Sequence, residues 1–159
     1  MNASEIFILA FALGIVAGQR SLMAPTVVSW AARLGWLNLQ HSWLAFLGYA
    51  LTPYIFSAFA ILELIMDKLP KTPSRKTPPV FAARIVLGAF SGAALCMAAR
   101  HSAAAGALLG GLGAVAGTLG GYEARTQLVK GLGAPDFAVA LVEDIVAIGG
   151  GLFVVSRFA

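Results

Sequence analysis

The sequence predicts an all-α fold, a polytopic bundle of transmembrane helices forming one domain over residues 1–159. Three observations predict it. The chain is 59% hydrophobic and only 11% charged, whereas a soluble domain carries about 25% charged residues. Its mean hydropathy is +0.85. Its apolar residues also gather into runs approaching the stretch of about 20 that crosses a bilayer core. A soluble sphere of this size could not hide so much apolar surface. That excludes a soluble enzyme, a disordered chain and a nucleic-acid-binding domain. The net charge of +4 then reads as cytoplasmic loops and not as nucleic-acid affinity. The single cysteine, Cys96, lies in an apolar run, so no intrachain disulfide is expected. Glu5 stands where a signal peptide carries positive charge, so the first run reads as a retained helix.

About five spans follow, near residues 4–22, 43–67, 79–99, 103–122 and 137–156. In the first, the apolar run from Ile6 to Gly18 is short and crosses only by continuing through Gln19-Arg20-Ser21 or by local thinning of the bilayer. In the second, Pro53 sits near the middle and is expected to kink the helix. The third contains Arg84, the fourth is rich in glycine, and the fifth contains Glu143 and Asp144. Residues 23–37, with Pro25, Trp30, Arg33 and Trp36, are apolar but short, and read as an interfacial or re-entrant helix.

Lysine and arginine orient the bundle. The segment from Lys68 to Lys76 carries Lys68, Lys71, Arg75 and Lys76 among prolines, and is placed in the cytoplasm. Five spans then put the N-terminus inside and the C-terminus outside, with Arg20, Arg33, Arg100, Arg157 and all three tryptophans on the outer side. If residues 23–37 cross instead, the count becomes six and the N-terminus moves outside. Glycines recur four apart at Gly14 and Gly18, Gly88 and Gly92, Gly106 and Gly110, and Gly113, Gly117 and Gly121. Such stripes let helix backbones approach closely, either within one bundle or across a homodimer. A faint inverted repeat adds to this. Val16-Ala17-Gly18 and Val115-Ala116-Gly117 are each followed by a short amphipathic stretch and a long span bearing Glu63 or Glu143.

Charges within membrane segments cost about 2.5–3.5 kcal/mol each on insertion scales and mark sites by default. Glu63 lies about 7 Å deeper than Lys68, and Glu143 about 10 Å deeper than Asp136, at 1.5 Å per helical residue. Glu63 and Asp67 share a helical face. Glu143 and Asp144 point about 100° apart, so they cannot face one partner equally. With Arg84 and Arg125 these acids form a polar group in the inner half of the bundle. It could bind a proton, a cation or a small polar solute, or its charges could be ion pairs that lock helices. Arg20, in the outer half, either flanks a broken helix that helps build a site or snorkels to the headgroups. Gly111-Leu-Gly113-Ala-Val-Ala116 fits a dinucleotide fingerprint by pattern, but no strand precedes it, so it reads as a packing face. His41 and His101 are isolated, and no metal spacing or nucleophile–base pair is present.

Several segments carry a resemblance: Ala17-Gly-Gln-Arg20-Ser with Ala24-Pro25, Glu63-Leu-Ile-Met-Asp67-Lys68-Leu-Pro70, Ala83-Arg84, Gly120-Gly-Tyr-Glu-Ala-Arg125, and Leu141-Val-Glu143-Asp144-Ile-Val-Ala. With them the chain resembles bacterial membrane proteins grouped as domain of unknown function 4126. The resemblance implies a multi-span membrane protein and no activity. The expectation is therefore a small multi-pass protein of the bacterial inner membrane, with transporter or channel-like function and no enzymatic activity, cofactor or metal. Its site would be built from Glu63, Asp67, Arg84, Arg125, Glu143, Asp144 and Arg20. The alternative is a non-transporting assembly or scaffold component. Expected partners are membrane lipids and a small polar solute, proton or cation, with no nucleic acid.

Overall fold

A computed structural model describes residues 1–68, 76–131 and 133–159. The predicted basic segment, with Lys71 and Arg75, falls mostly outside the described residues. Among those described there are six α-helices and no strand. They are α1 (Ala3–Gln19), α2 (Met23–Arg33), α3 (Thr52–Met66), α4 (Pro78–Ala98), α5 (Ala103–Thr126) and α6 (Asp136–Ser156). A 3₁₀ turn at Ala45–Gly48 precedes α3, and a π turn at Gln127–Gly131 extends α5. Three helical stretches, Pro78–Ala98, Ala103–Gly131 and Asp136–Ser156, are long and apolar enough to cross a membrane. They mark the chain as a membrane protein. α1 and α3 are apolar but shorter.

Local chemistry sets the helix ends. Asn2 and Glu5 form a reciprocal capping box at the start of α1, both bonds 2.9 Å. Prolines open α3 and α4, where the missing N–H has no intrahelical partner to lose. Pro53 therefore starts α3 and does not kink it. The expected span from 43 to 67 is helical only over Thr52–Met66, and residues 43–51 are turns. The α4–α5 connection is a Schellman turn. His101 N–H bonds Cys96 O at 2.7 Å and Arg100 N–H bonds Met97 O at 3.0 Å. Arg100 sits there at φ 60°, a conformation that costs an L-residue about 1–2 kcal/mol and is normally left to glycine.

The helices alternate in direction. α1, α3 and α5 finish, and α2, α4 and α6 begin, at one end of the bundle, hereafter the charged end. The other end holds both termini, since Met1, Glu5, Phe153 and Arg157 line one groove. It also holds the α4–α5 turn, where the His101 ring meets Phe7 edge-on with centroids 6.0 Å apart. The five-pass arrangement, by contrast, expects the termini at opposite ends. The reason for the difference is α2, which leaves α1 at a turn over Arg20–Leu22 and runs back through the bundle. It is packed inside, with Met23–Ser29 and Ala31 buried, and does not lie along an interface.

α1, α4 and α5 form the tightest part. A Cβ on Gly14 would strike the backbone of Gly110, one on Gly18 that of Ala114, Gly117 and Thr118, and one on Gly92 that of Gly106. Gly14, Gly18, Gly88, Gly92, Gly106, Gly110, Gly113 and Gly117 thus pack against other helices of the same chain, with Gly113 on Phe11 and Gly14. Gly14 faces Gly110 and Gly18 faces Gly117, so α1 and α5 run parallel. An inverted repeat requires them antiparallel, so the expected repeat does not hold. The reversal at α2 supplies the extra turn that the repeat leaves out. The core continues through Leu13, Val16, Val28, Leu95 and Val155, and is closed at the termini end by Leu37, Leu39, Leu44 and Leu47. α3 and α6 turn large apolar side chains outward, including Ile55, Phe59, Ile61, Val142, Ile145 and Phe153. That surface suits lipid and not water.

Candidate functional site

The α1–α2 break is where the charges converge. Arg20 leaves helical geometry at φ −138° and ψ 104°. The last carbonyls of α1 and the first N–H groups before α2 lose their helical partners there, inside the bundle, where an unsatisfied polar group is costly. Two charged side chains satisfy them. Arg84 Nη1, from the second turn of α4, donates to the carbonyls of Gly18 and Gln19, the latter at 2.9 Å. Thr118 Oγ1 adds a bond of 3.1 Å to Gly18 O. Glu63, near the end of α3, accepts from Ser21 N–H at 2.8 Å, Ser21 Oγ at 2.6 Å and Leu22 N–H at 2.8 Å. A cation at a helix C-terminus and an anion at a helix N-terminus also match the two helix dipoles. Arg84 and Glu63 approach each other at 4.0 Å.

Arg20 itself is fully buried. Its Nε donates to Asp144 Oδ1 at 2.6 Å, its Nη1 pairs with Asp67, and its Nη2 lies 3.9 Å from Glu143 Oε2. Asp144 accepts in turn from Lys68 Nζ at 2.6 Å. Arg125 grips Asp136 in a two-pronged pair of 2.9 and 2.8 Å and reaches Glu143 at 3.4 Å and Asp67 at 3.9 Å. Four cations therefore face five carboxylates among the described residues.

All seven residues expected from the sequence meet here. The position of Arg20 is corrected: it is not in an outer half but at the centre of the acids, because α2 reverses the chain directly after it. Asp144 takes the short bond to Arg20 and Glu143 the long one, as two side chains 100° apart require. Three members were missed as partners, namely Lys68, Asp136 and Ser21. In the sequence Lys68 serves as an orienting charge, and Lys68 and Asp136 as references for the depth of Glu63 and Glu143. The signal available for Lys68 was its position next to Asp67 at the end of the same helix.

The group is graded in depth. Arg20 and Arg84 are sealed, whereas the Glu143, Lys68 and Arg125 side chains are 13, 25 and 20% exposed. Lys76 Nζ lies 3.8 Å from the centre of the Tyr122 ring at the same end.

The chain matches the family described as Domain of unknown function (DUF4126) over residues 7–157. It belongs to that family. No curated protein and no solved structure matches it. The DUF4126 match contains every member of the charged group, from Arg20 to Asp144. No function comes with the family description. In this DUF4126 chain the arrangement offers carboxylates of two kinds. Glu63 holds the backbone of the break and Asp144 holds Arg20 and Lys68, while Glu143 approaches Arg125 at 3.4 Å and Arg20 at 3.9 Å.

Proposed function

We propose that this protein is a small multi-pass transporter or channel-like protein that handles a proton, a cation or a small polar solute at the Arg20 group. The observation that carries the reading is the helix break inside the bundle, with charges gathered on its exposed backbone. Discontinuous helices place free backbone groups and charged side chains at the binding sites of membrane transporters. Here Arg20 seals the inner face, Glu143 lies above it, and Arg125 with Asp136 forms the rim. A proton or cation arriving from the charged end passes the exposed Asp136 and reaches Glu143 deeper in the group. Neutralising that carboxylate weakens its contacts to Arg125 and Arg20 while Asp144 still holds Arg20. This is a local switch that leaves the break intact.

The alternating helix directions support six passes, counting α2 with its following turns as one. Among the described residues Arg20, Lys68, Lys76, Arg84, Arg125 and Lys130 lie at the charged end, and Arg33, Arg100 and Arg157 at the other. Six positive charges against three favour a cytoplasmic charged end, with both termini outside, in a bacterial inner membrane.

Flux in proteoliposomes tests the reading. The wild type is expected to dissipate a proton, monovalent-cation or small-solute gradient above the lipid background. Glu143→Gln is expected to lower that flux at least tenfold at unchanged folded yield. Background flux across all three gradients would overturn it.

A second reading, a non-transporting assembly component, is favoured by one feature: Arg20 is wholly buried and doubly paired, as a structural lock would be. It predicts a partner that co-purifies in defined stoichiometry, and a Glu143→Gln variant that loses folded protein.

A further inference from the structure

The two histidines that stand far apart in the sequence are brought together at the termini end. Asn38, His41 and Ser42 from the α2–α3 connection face Met97, Arg100 and His101 from the α4–α5 turn across a cavity of about 430 Å³. That volume lies within the range of small-molecule sites, about 300–1,000 Å³. We infer that this cavity is a binding site for a phosphate-bearing anion, separate from the charged end and independent of the function proposed above.

Charge and hydrogen-bonding capacity carry the inference. Among the described residues no carboxylate lines the cavity. The nearest acid at this end, Glu5, lies in another groove with Arg157. No hydrogen bond or ion pair within the described residues occupies the side chains of Asn38, His41 or Arg100. Arg20, Lys68, Arg84 and Arg125, by contrast, are all engaged at the opposite end. A guanidinium presents a planar fork of donors that fits phosphate oxygens two at a time. An imidazole has at least one N–H in either protonation state, and an amide has two. Ser42 does not add a donor, because its hydroxyl is bonded to Leu39 O at 2.7 Å. That bond fixes the loop that carries His41.

Arg100 adds an independent point. The chain has 18 glycines and, among the described residues, puts Gly35 and Gly133 at the other left-handed positions. At the left-handed position facing this cavity it has an arginine instead. The backbone strain is accepted where the side chain reaches the cavity.

Phosphate can come from solution or from an anionic lipid headgroup, and the test separates the two. Protein labelled on histidine is placed in nanodiscs of phosphatidylcholine and titrated with inorganic phosphate while the imidazole resonances are followed. The parallel arm replaces the lipid with phosphatidylglycerol and adds no phosphate. Saturable shifts of both His41 and His101 with phosphate would identify a soluble anion. Shifts only in phosphatidylglycerol would identify a headgroup. Arg100→Gly removes the fork and relaxes the turn, so it is expected to fold. It should weaken the response at least tenfold in whichever arm shows it. Histidine resonances that move in neither arm, or an Arg100→Gly protein that binds as the wild type does, would overturn the inference.

Discussion

Arg20 is the residue on which the charged end turns. It touches no solvent and holds Asp67 and Asp144 at once. An ion pair in a low-dielectric interior gains little over a well-packed apolar pair, but losing one partner leaves a charge stranded. Arg20→Met is therefore expected to destabilise the protein by about 3–5 kcal/mol. Asp144 then keeps Lys68, and Asp67 keeps the more distant Arg125. The loss should be read as a fall in thermal midpoint in detergent. Adding Asp67→Asn to Arg20→Met is expected to recover part of it, because among the described residues the loss of Arg20 leaves three cations facing five carboxylates and the amide lowers that excess. A double variant no more stable than the single one would mean that Arg20 acts through packing alone. The sequence made these residues visible because charges are rare in an apolar chain. It did not show which arginine meets which acid. Arg20 seemed remote from Asp144 only because the turn at Arg20–Leu22 was hidden in a continuous apolar stretch.

At the scale of helices, the glycine stripes decide how α1, α4 and α5 fit. Gly110 sits between α1 and α4, with the backbones of Gly88 and Gly92 close on one side and that of Gly14 on the other. A methyl group there has no flexible side chain to displace. Gly110→Ala is expected to cost about 1–3 kcal/mol, the usual range for overpacking. Gly120 lies in the same helix with nothing within 4 Å of an added Cβ. Gly120→Ala should gain up to about 1 kcal/mol from helix propensity. Measuring the two together checks that the first effect is steric: equal responses would refute the close packing. The four-residue spacing predicted tight contact correctly, but spacing does not name the partner helix or its direction. Direction is what undid the inverted repeat, since α1 and α5 advance together. Pro53 misled for a related reason. Its effect depends on where the helix begins, and the start signal of Pro53 itself is masked by the apolar run that begins at Leu44.

For the whole molecule, the outcome rests on α2. It has 11 residues, below the roughly 17–25 of a membrane span, so length alone set it aside. Its burial against α3, α4 and α6 comes from tertiary packing that hydropathy does not record. Counting its passage makes the number of passes even and brings Met1 beside Phe153. Accessibility of single cysteines in intact cells tests this arrangement. With Cys96 replaced by alanine, cysteines at Asn2, Ala159, Lys76 and Lys130 are exposed in turn to a membrane-impermeant thiol reagent. Asn2→Cys and Ala159→Cys are expected to react from outside. Lys76→Cys and Lys130→Cys should react only after the membrane is opened. Their residues flank the charged end, where positive charge favours the cytoplasm. If all four responses are reversed, the fold stands and the orientation is wrong. If Asn2→Cys and Ala159→Cys react from opposite sides, α2 does not return the chain. Arg20 would then be separated from Asp144 by the bundle, and the charged site as described could not form.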